Sequence, residues 1–141
     1  MDFGGRVIGW VAETRREKSS TMAKILVVDD ETVFVELIGK ILKTAGYDVI
    51  AACDGQDGLE KAKKEKPDLI VLDVMMPKMD GYTMLKEIRK DATIKNIPVI
   101  LCTGKAQKDY IEVSQGIGVD AYLTKPIYPF DFLAKVKELL P

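Results

Sequence analysis

Five side chains whose chemistry suits a metal ion and a phosphoryl group stand at or just past the ends of short apolar runs. They are Asp29, Asp30, Asp73, Thr103 and Lys125. If the runs are parallel strands of one sheet, their carboxyl ends meet at one edge, and in open α/β sheets ligands bind in the crevice at that edge. Three carboxylates, one hydroxyl and one ammonium group would then share a single crevice. Such a set of groups suits a divalent cation and a phosphoryl group.

The three carboxylates would repel each other, so at least one of their pKa values should rise in a metal-free site. A divalent cation relieves the repulsion, and Mg²⁺ prefers hard oxygen ligands. Asp30 and Asp73 could bind such an ion directly, with Asp29 acting through water. A carboxylate can also form an aspartyl phosphate, and Asp73 is the best candidate because it lies centrally, on the third run. Lys125 supplies a point charge for one phosphate oxygen, and Thr103 can donate a hydrogen bond to another.

Each of these residues also has an ordinary structural role as its alternative. Asp30 could cap a helix and complement its dipole. Asp73 and Thr103 could each make a turn, and Lys125 could be a surface residue before a rigid bend. The functional interpretation is favoured because four separate strand ends each supply a group of the right type.

Alternating apolar runs and helical patterns predict the elements that position these groups. The predicted strands comprise residues 24–29, 47–52, 68–73, 97–102 and 121–123. The predicted helices comprise residues 34–45, 55–66, 82–90, 106–115 and 129–140. Strands that alternate with helices imply βαβ units with right-handed crossovers. We therefore predict an α/β fold, a flavodoxin-like doubly wound sheet of five parallel strands in the order 2-1-3-4-5, with five helices.

The composition indicates one soluble domain and excludes several classes of function. With 141 residues, 47% of them apolar, the chain is long enough for a single domain with its own core. A net charge of −1 leaves no basic field for nucleic acid, so we expect no direct DNA binding. No run approaches the ~20 apolar residues of a membrane helix, and the apolar stretch near the N-terminus is too short for a secretory signal. We expect a cytoplasmic protein.

Histidine is absent from the chain, which excludes histidine general bases and histidine metal ligands. Any phosphohistidine donor must therefore be another protein. The two cysteines, Cys53 and Cys102, lack the spacing of a zinc site. Cys102 ends an apolar run and is expected to be a small buried residue.

Residues 1–22 precede the first predicted strand and show no clear period. We expect an N-terminal extension that is a flexible tail, a cloning remnant or an upstream start ahead of Met22. A docking segment that uses Trp10 is the alternative. Residues 23–141 form the predicted domain, and the chain stops directly after the last predicted helix, so no output domain is expected.

Four motifs, in this order, resemble the response regulator receiver domain of two-component signalling. They are Lys24–Glu31, Pro67–Gly81, Pro98–Gly104 and Gly118–Pro126. The resemblance covers about residues 23–141 and leaves the N-terminal extension outside it.

The resemblance implies that Asp73 is the phosphoacceptor for a sensor histidine kinase or a histidine phosphotransfer protein, in a reaction that needs Mg²⁺ or Mn²⁺. It implies that Asp29, Asp30 and Asp73 bind the metal, with the backbone carbonyl of Met75 as a further ligand. Met75 and Lys105 occupy the two variable positions that modulate the lifetime of the phosphoryl group in this family.

The resemblance also implies a switch. Thr103 would move toward the phosphoryl group, and Tyr122 would rotate inward behind it, although a strand aromatic is more commonly plain core. The Lys125–Pro126 peptide bond would be cis, a form nearly confined to proline. Gly104 stands where alanine is common in the family, which could loosen the loop after Thr103.

The expected function is that of a single-domain response regulator of the stand-alone, chemotaxis type, a monomer or weak dimer that acts on an unknown downstream protein. It is not expected to be an enzyme, because it promotes only its own phosphorylation and dephosphorylation. The output face would comprise the predicted helix 106–115, strand 121–123 and helix 129–140. A phosphorelay intermediate is one alternative. A Mg²⁺-dependent phosphatase is another, but it needs an acid where Met75 stands. A flavin carrier would need a phosphate-cradling loop in place of Asp29–Glu31.

Overall fold

Five parallel strands form one sheet in the order β2-β1-β3-β4-β5. The computed structural model describes residues 22–104 and 116–140. The strands are β1 Lys24–Val28, β2 Asp48–Ala52, β3 Leu69–Asp73, β4 Val99–Thr103 and β5 Ala121–Thr124. The helices of the described residues are α1 Thr32–Thr44, α2 Gly55–Glu65, α3 Gly81–Lys90 and α4 Pro129–Leu139. The predicted α/β class and strand order are confirmed, with four helices here where five were expected, since the fifth, 106–115, lies outside the described residues.

The ends of the helices follow from local hydrogen bonding. Asp54 and Asp80 precede α2 and α3, and each carboxylate accepts a hydrogen bond from a backbone N–H in the first turn, at 2.8 and 2.7 Å. Such N-caps satisfy donors that have no partner within the helix. Gly46 follows α1 with a φ of 97°, the left-handed conformation that commonly ends helices. None of the described helices is long and apolar enough to cross a membrane.

The sheet is buried on both faces, as a doubly wound sheet must be. Successive residues of a strand point to opposite faces, and in β1 Leu26 packs in one core cluster while Ile25 and Val27 pack in the other. The first cluster is completed by α2 and α3, and the second by α1 and α4. Because both faces are covered, the central strands β1, β3 and β4 consist almost entirely of apolar residues.

The helical spacing of the apolar residues Phe34, Leu37, Ile38, Ile41, Leu42 and Ala45 predicts an apolar stripe along α1, and the buried stripe is narrower than this. Ile38 and Leu42 are fully buried, but Leu37, which belongs to the same helical repeat, is 51% exposed. Leu37 lies about 100° around the helix from Ile38, so only one of the two can face the sheet. Leu37 is therefore available to a partner.

One arginine connects two loops at the amino ends of the strands, opposite the acidic residues. The guanidinium of Arg89, at the end of α3, donates to acceptors between 2.7 and 3.0 Å away, namely the carbonyl oxygens of Lys95, Ile97 and Gly118 and the carboxylate of Asp120. The same Asp120 oxygen accepts from the backbone N–H of Val99 at 2.8 Å. Arg89 thereby ties the segment before β4 to the turn before β5.

Replacing Arg89 by lysine is expected to lower the free energy of unfolding by about 1–3 kcal/mol, because backbone carbonyls lose their donor. A lysine ammonium cannot span the four acceptors that the planar guanidinium reaches. Urea unfolding followed by circular dichroism measures the change. Lys90→Ala is the matched control, since the Lys90 side chain is 70% exposed and its loss should cost less than about 0.5 kcal/mol. Equal stability of R89K and wild type would contradict the bridging role.

Candidate functional site

The register of the sheet brings the two buried acids to the same level. In the pairing of β1 with β3, Val28 lies opposite Leu72, so Asp29 and Asp73 follow at adjacent strand ends. Asp73 also closes the pairing of β3 with β4, where it lies opposite Cys102. The carboxyl ends of the strands therefore gather these side chains at one edge, as the sequence predicted.

Asp29, Asp30 and Asp73 form an acid cluster in which one carboxylate oxygen from each residue lies within 4.8 Å of the others. Asp29 and Asp73 are buried, at 1% and 6% exposure, whereas Asp30 is exposed at the mouth. Asp29 also accepts a hydrogen bond from the backbone N–H of Glu31 at 2.9 Å. Three oxygen donors at this spacing could hold one hard divalent cation.

Lys125 lies directly against the acid cluster. Its Nζ is 2.8 Å from Asp29 Oδ2 and 3.5 Å from Asp73 Oδ1. Its backbone N–H donates to the carbonyl oxygen of Thr103 at 2.7 Å, which joins the ends of β4 and β5. The peptide bond from Lys125 to Pro126 is cis. The ammonium offsets only part of the negative charge of the three carboxylates.

The electrostatics of the site are dominated by burial. Burial, and then the nearby Asp29 carboxylate, raise the pKa of Asp73 from 3.8 to about 6, although Lys125 opposes this rise. Burial also raises the pKa of Asp29, and the hydrogen bond from Lys125 offsets part of that shift. For Lys125, burial lowers the pKa, but hydrogen bonds to Asp29 and Glu31 outweigh it and the pKa is raised. Lys125 is therefore charged. The two buried carboxylates are harder to ionise than exposed carboxylates, and Lys125 compensates for this only in part.

The other predicted site residues lie around this centre. Thr103, 3% exposed, ends β4 next to Asp73. Tyr122 is partly buried in β5 and packs against the core cluster that contains Leu26, as the ordinary core interpretation expects. Met75 lies in the loop after β3 with its side chain 62% exposed. Lys105 lies outside the described residues.

The departure from the family pattern at Gly104 leaves room for a larger residue. A Cβ built on Gly104 meets no atom of the described residues within 4 Å, so an alanine would fit beside them.

Two groups of residues escaped the sequence analysis. A Cβ at Gly81 would collide with the carbonyl oxygen of Asp73, and one at Gly55 would collide with the carbonyl of Met79. These close approaches hold the loop between β3 and α3 against the reactive strand end. Glycines in a turn and a helix start gave no signal that distinguished them from ordinary loop residues.

Glu31 and Phe34 form the other missed group. Both contact Lys125, with Glu31 Oε1 at 2.9 Å and the centre of the Phe34 ring at 4.1 Å from Nζ. Helical spacing predicts only that Phe34 belongs to the apolar stripe of α1, and Glu31 simply follows two other acids in the sequence. No sequence signal pairs them with a lysine more than 90 positions away.

The cysteines differ in environment. Cys102, opposite Asp73 in the sheet, is fully buried, and burial raises the pKa of its thiol to about 12. Cys53 is exposed, and both thiols are free. The expectation that Cys102 is a small buried residue is confirmed.

Known proteins are similar to this chain in sequence. Over 117 residues the chain is 45% identical to the alkaline phosphatase synthesis transcriptional regulatory protein PhoP of Bacillus subtilis. This alignment covers 83% of the chain and 48% of PhoP. It is 42% identical over 120 residues to the DNA-binding dual master transcriptional regulator RpaA of Synechocystis, covering 84% and 49%. The chain thus spans about half the length of these relatives.

Solved structures match over most of their length. A CheY-like response regulator receiver domain protein from Methanospirillum hungatei superposes with a TM-score of 0.80 at 34% identity, covering 84% of this chain and 94% of that one. The chemotaxis protein CheY4 of Vibrio cholerae superposes with a TM-score of 0.80 at 32% identity, covering 84% and 98%. The family model of the response regulator receiver domain matches residues 25–137. With this match and an acid cluster at the carboxyl edge of the sheet, the chain belongs to the response regulator receiver domain family.

Proposed function

We propose that this receiver domain accepts a phosphoryl group on Asp73 from a histidine kinase or a histidine phosphotransfer protein, in a reaction that needs Mg²⁺ or Mn²⁺. The observation that carries the proposal is the position of the buried Asp73 carboxylate, which shares one crevice with Asp29, Asp30 and Lys125. The modified domain then changes how it binds a downstream protein.

The donor set of the acid cluster fits a hard divalent cation. Its oxygen atoms are close enough to share one ion. Burial, and then the Asp29 carboxylate, raise the pKa of Asp73, and a cation would favour its ionised form. We propose that Asp29, Asp30 and Asp73 hold the ion, with the Met75 carbonyl as a further ligand. When bound, the cation neutralises charge on the phosphoryl oxygens as the group is transferred.

The protein side chains supply the remaining chemistry. An oxygen of the Asp73 carboxylate forms a bond to phosphorus while the bond from phosphorus to the donor nitrogen breaks. With a pKa of about 6, Asp73 is mostly ionised at neutral pH and can act as the nucleophile. Lys125, 3.5 Å from Asp73, can pair with a phosphoryl oxygen, and the Thr103 hydroxyl at the next strand end can donate to another.

A phosphoryl group adds about −1.5 to −2 charge at this edge of the sheet, and it shifts a conformational equilibrium only if one state binds it better. We propose that Thr103 moves toward the phosphoryl group and that Tyr122 of β5 rotates inward behind it. The predicted helix 106–115 of the output face lies outside the described residues, and β5 and α4 form the described part of that face. The output partner is a protein, since a net charge of −1 does not favour direct binding to DNA.

The phosphatase alternative is disfavoured by Met75, whose thioether cannot protonate a leaving group. We propose that the domain promotes only the phosphorylation and dephosphorylation of its own Asp73.

Incubation with acetyl phosphate and Mg²⁺ is expected to add one phosphoryl group to the wild-type chain, as followed by intact mass. Asp73→Asn should gain none, because an amide cannot form the acyl phosphate. Asp131→Asn, which removes an exposed acid of α4, is the matched control and should react like wild type. The proposal is wrong if the wild-type chain stays unmodified or if D73N is modified equally.

The stability of the metal-free domain is expected to depend on pH through Asp73. Its pKa of about 6 in the folded chain exceeds the ordinary 3.8. The ionised Asp73 therefore lowers the free energy of unfolding: not at all below about pH 4, increasingly between pH 4 and 6, and fully above about pH 6. Asp73→Asn should therefore be more stable than wild type by about 2–3 kcal/mol at pH 8, and the gap should close toward pH 4. Urea unfolding at several pH values measures it.

Magnesium provides the internal comparison for that measurement. At pH 8 it should stabilise wild type more than D73N, because the variant has lost a ligand. Asp131→Asn should behave as wild type at every pH. A gap between D73N and wild type that stays constant with pH, or equal stabilisation of both by Mg²⁺, would contradict the assignment.

The donor protein must cover the start of α1, because this helix begins directly beside the acid cluster. Val33 and Leu37 are 78% and 51% exposed there and lie one turn apart on one face. We propose that the donor docks on this apolar pair.

The variant Val33→Thr with Leu37→Gln is expected to slow transfer from an autophosphorylated histidine kinase about tenfold, because two apolar contacts are lost. Its labelling by acetyl phosphate should be unchanged, since the acid cluster is intact. Glu60→Gln, exposed on α2 at the other face of the sheet, is the control. Equal slowing with both phosphodonors, or none with the kinase, would argue against docking at this pair.

A further inference from the structure

Lys125 has partners outside the acid cluster as well as inside it. Its Nζ is 2.8 Å from Asp29 Oδ2, 2.9 Å from Glu31 Oε1 and 4.1 Å from the centre of the Phe34 ring. Glu31 and Phe34 contribute no oxygen to the acid cluster. Lys125 thus lies between Asp29, a proposed ligand of the metal, and two residues that are not proposed ligands, Glu31 and Phe34.

The contacts differ in strength because their burial differs. The Asp29 side chain is 0% exposed, whereas Glu31 is 65% exposed. A buried carboxylate without a partner is strongly unfavourable, while an exposed ion pair contributes little. In the metal-free chain, Asp29 therefore holds the lysine, and Glu31 and Phe34 only add to that interaction.

The relative strength of these contacts would change if a divalent cation bound Asp29. The ion would repel the Lys125 ammonium, and the lysine side chain, only 16% exposed, would lose its main partner. Glu31 and the face of the Phe34 ring already contact the ammonium, so it can stay paired with little movement.

The backbone fixes these two groups relative to Asp29. Glu31 is the N-cap residue of α1, its N–H donates to Asp29 Oδ1 at 2.9 Å, and its carbonyl oxygen accepts from Val35 at 3.1 Å. Phe34 follows in the first turn of the same helix. A carboxylate and an aromatic ring therefore stand ready beside the lysine without any loop rearrangement.

We propose that Glu31 and Phe34 are positioning residues that keep Lys125 paired when a divalent cation occupies the acid cluster, and that they thereby raise the affinity of the site for the metal. The inference rests on the proposed function. It differs from a direct attraction between Glu31 and the ion, because it acts only through the lysine.

A double-mutant cycle separates the two mechanisms. Mg²⁺ alone is titrated into the chain by calorimetry at pH 7.5, for wild type, Glu31→Gln, Lys125→Met and the double variant. Glu31→Gln should weaken binding about two- to fivefold when Lys125 is present, and less than about twofold when it is replaced. Glu36→Gln, an exposed glutamate further along α1, is the charge-matched control and should change binding by less than about twofold.

Phe34→Leu gives an independent measurement without a change of charge. It should weaken Mg²⁺ binding in the chain with Lys125 and not in Lys125→Met. If this core-facing substitution unfolds the chain, as circular dichroism would show, the Glu31 cycle decides alone.

Each outcome has a definite meaning. An equal loss of affinity from Glu31→Gln in both backgrounds would show that Glu31 acts by its own charge, and the inference would be overturned while the proposed function stands. No effect of Glu31→Gln in either background would overturn it as well. A wild-type chain that binds no Mg²⁺ would overturn both the inference and the proposed function.

Discussion

The burial of carboxylates that the sheet topology forces together is the constraint on which the site depends. Asp29 directly follows β1 and Asp73 ends the neighbouring β3 at the same level, so folding the core brings them close and buries them. Burial, and then the Asp29 carboxylate, raise the pKa of Asp73 to about 6, and Lys125 opposes this rise only in part. The apolar core on both faces of the sheet stabilises the fold enough to offset this unfavourable arrangement. The excess of negative charge at the site favours binding of a cation and of anionic groups that bind together with the cation.

Much of the fold was predictable because parallel strands covered on both faces must be apolar throughout. The runs at β1, β3 and β4 carried that pattern, and the alternation with helices then left few topologies. Each described element boundary falls within two residues of its prediction. The miss at Leu37 has a physical reason, since a helical repeat admits several neighbouring residues to a stripe and only packing decides which of them faces the sheet.

The acid cluster was predictable for a different reason. The carboxyl ends of parallel strands lie at one edge of the sheet, whatever the sequence of the connecting segments. Residue type and position in the strand were therefore enough to predict that Asp29, Asp73 and Lys125 lie close together. The contacts of Glu31 and Phe34 with Lys125 were not, because they depend on the rotamer of a long side chain at a remote position. The roles of Thr103 and Tyr122 in the switch, and of Met75 and Lys105 in the lifetime of the phosphoryl group, stay predictions, since a static arrangement of residues shows neither motion nor lifetime.

The contrast between the two thiols offers a practical handle on this domain. Cys102 is sealed beneath the reactive strand end, and a thiol with a pKa of about 12 forms almost no thiolate at neutral pH. Cys53 lies on the surface just before α2. A maleimide dye should therefore attach at Cys53 alone, which directly follows β2 at the same carboxyl edge of the sheet as Asp29. Such a label would turn the natural chain into a fluorescent reporter near the acidic crevice without any engineered cysteine.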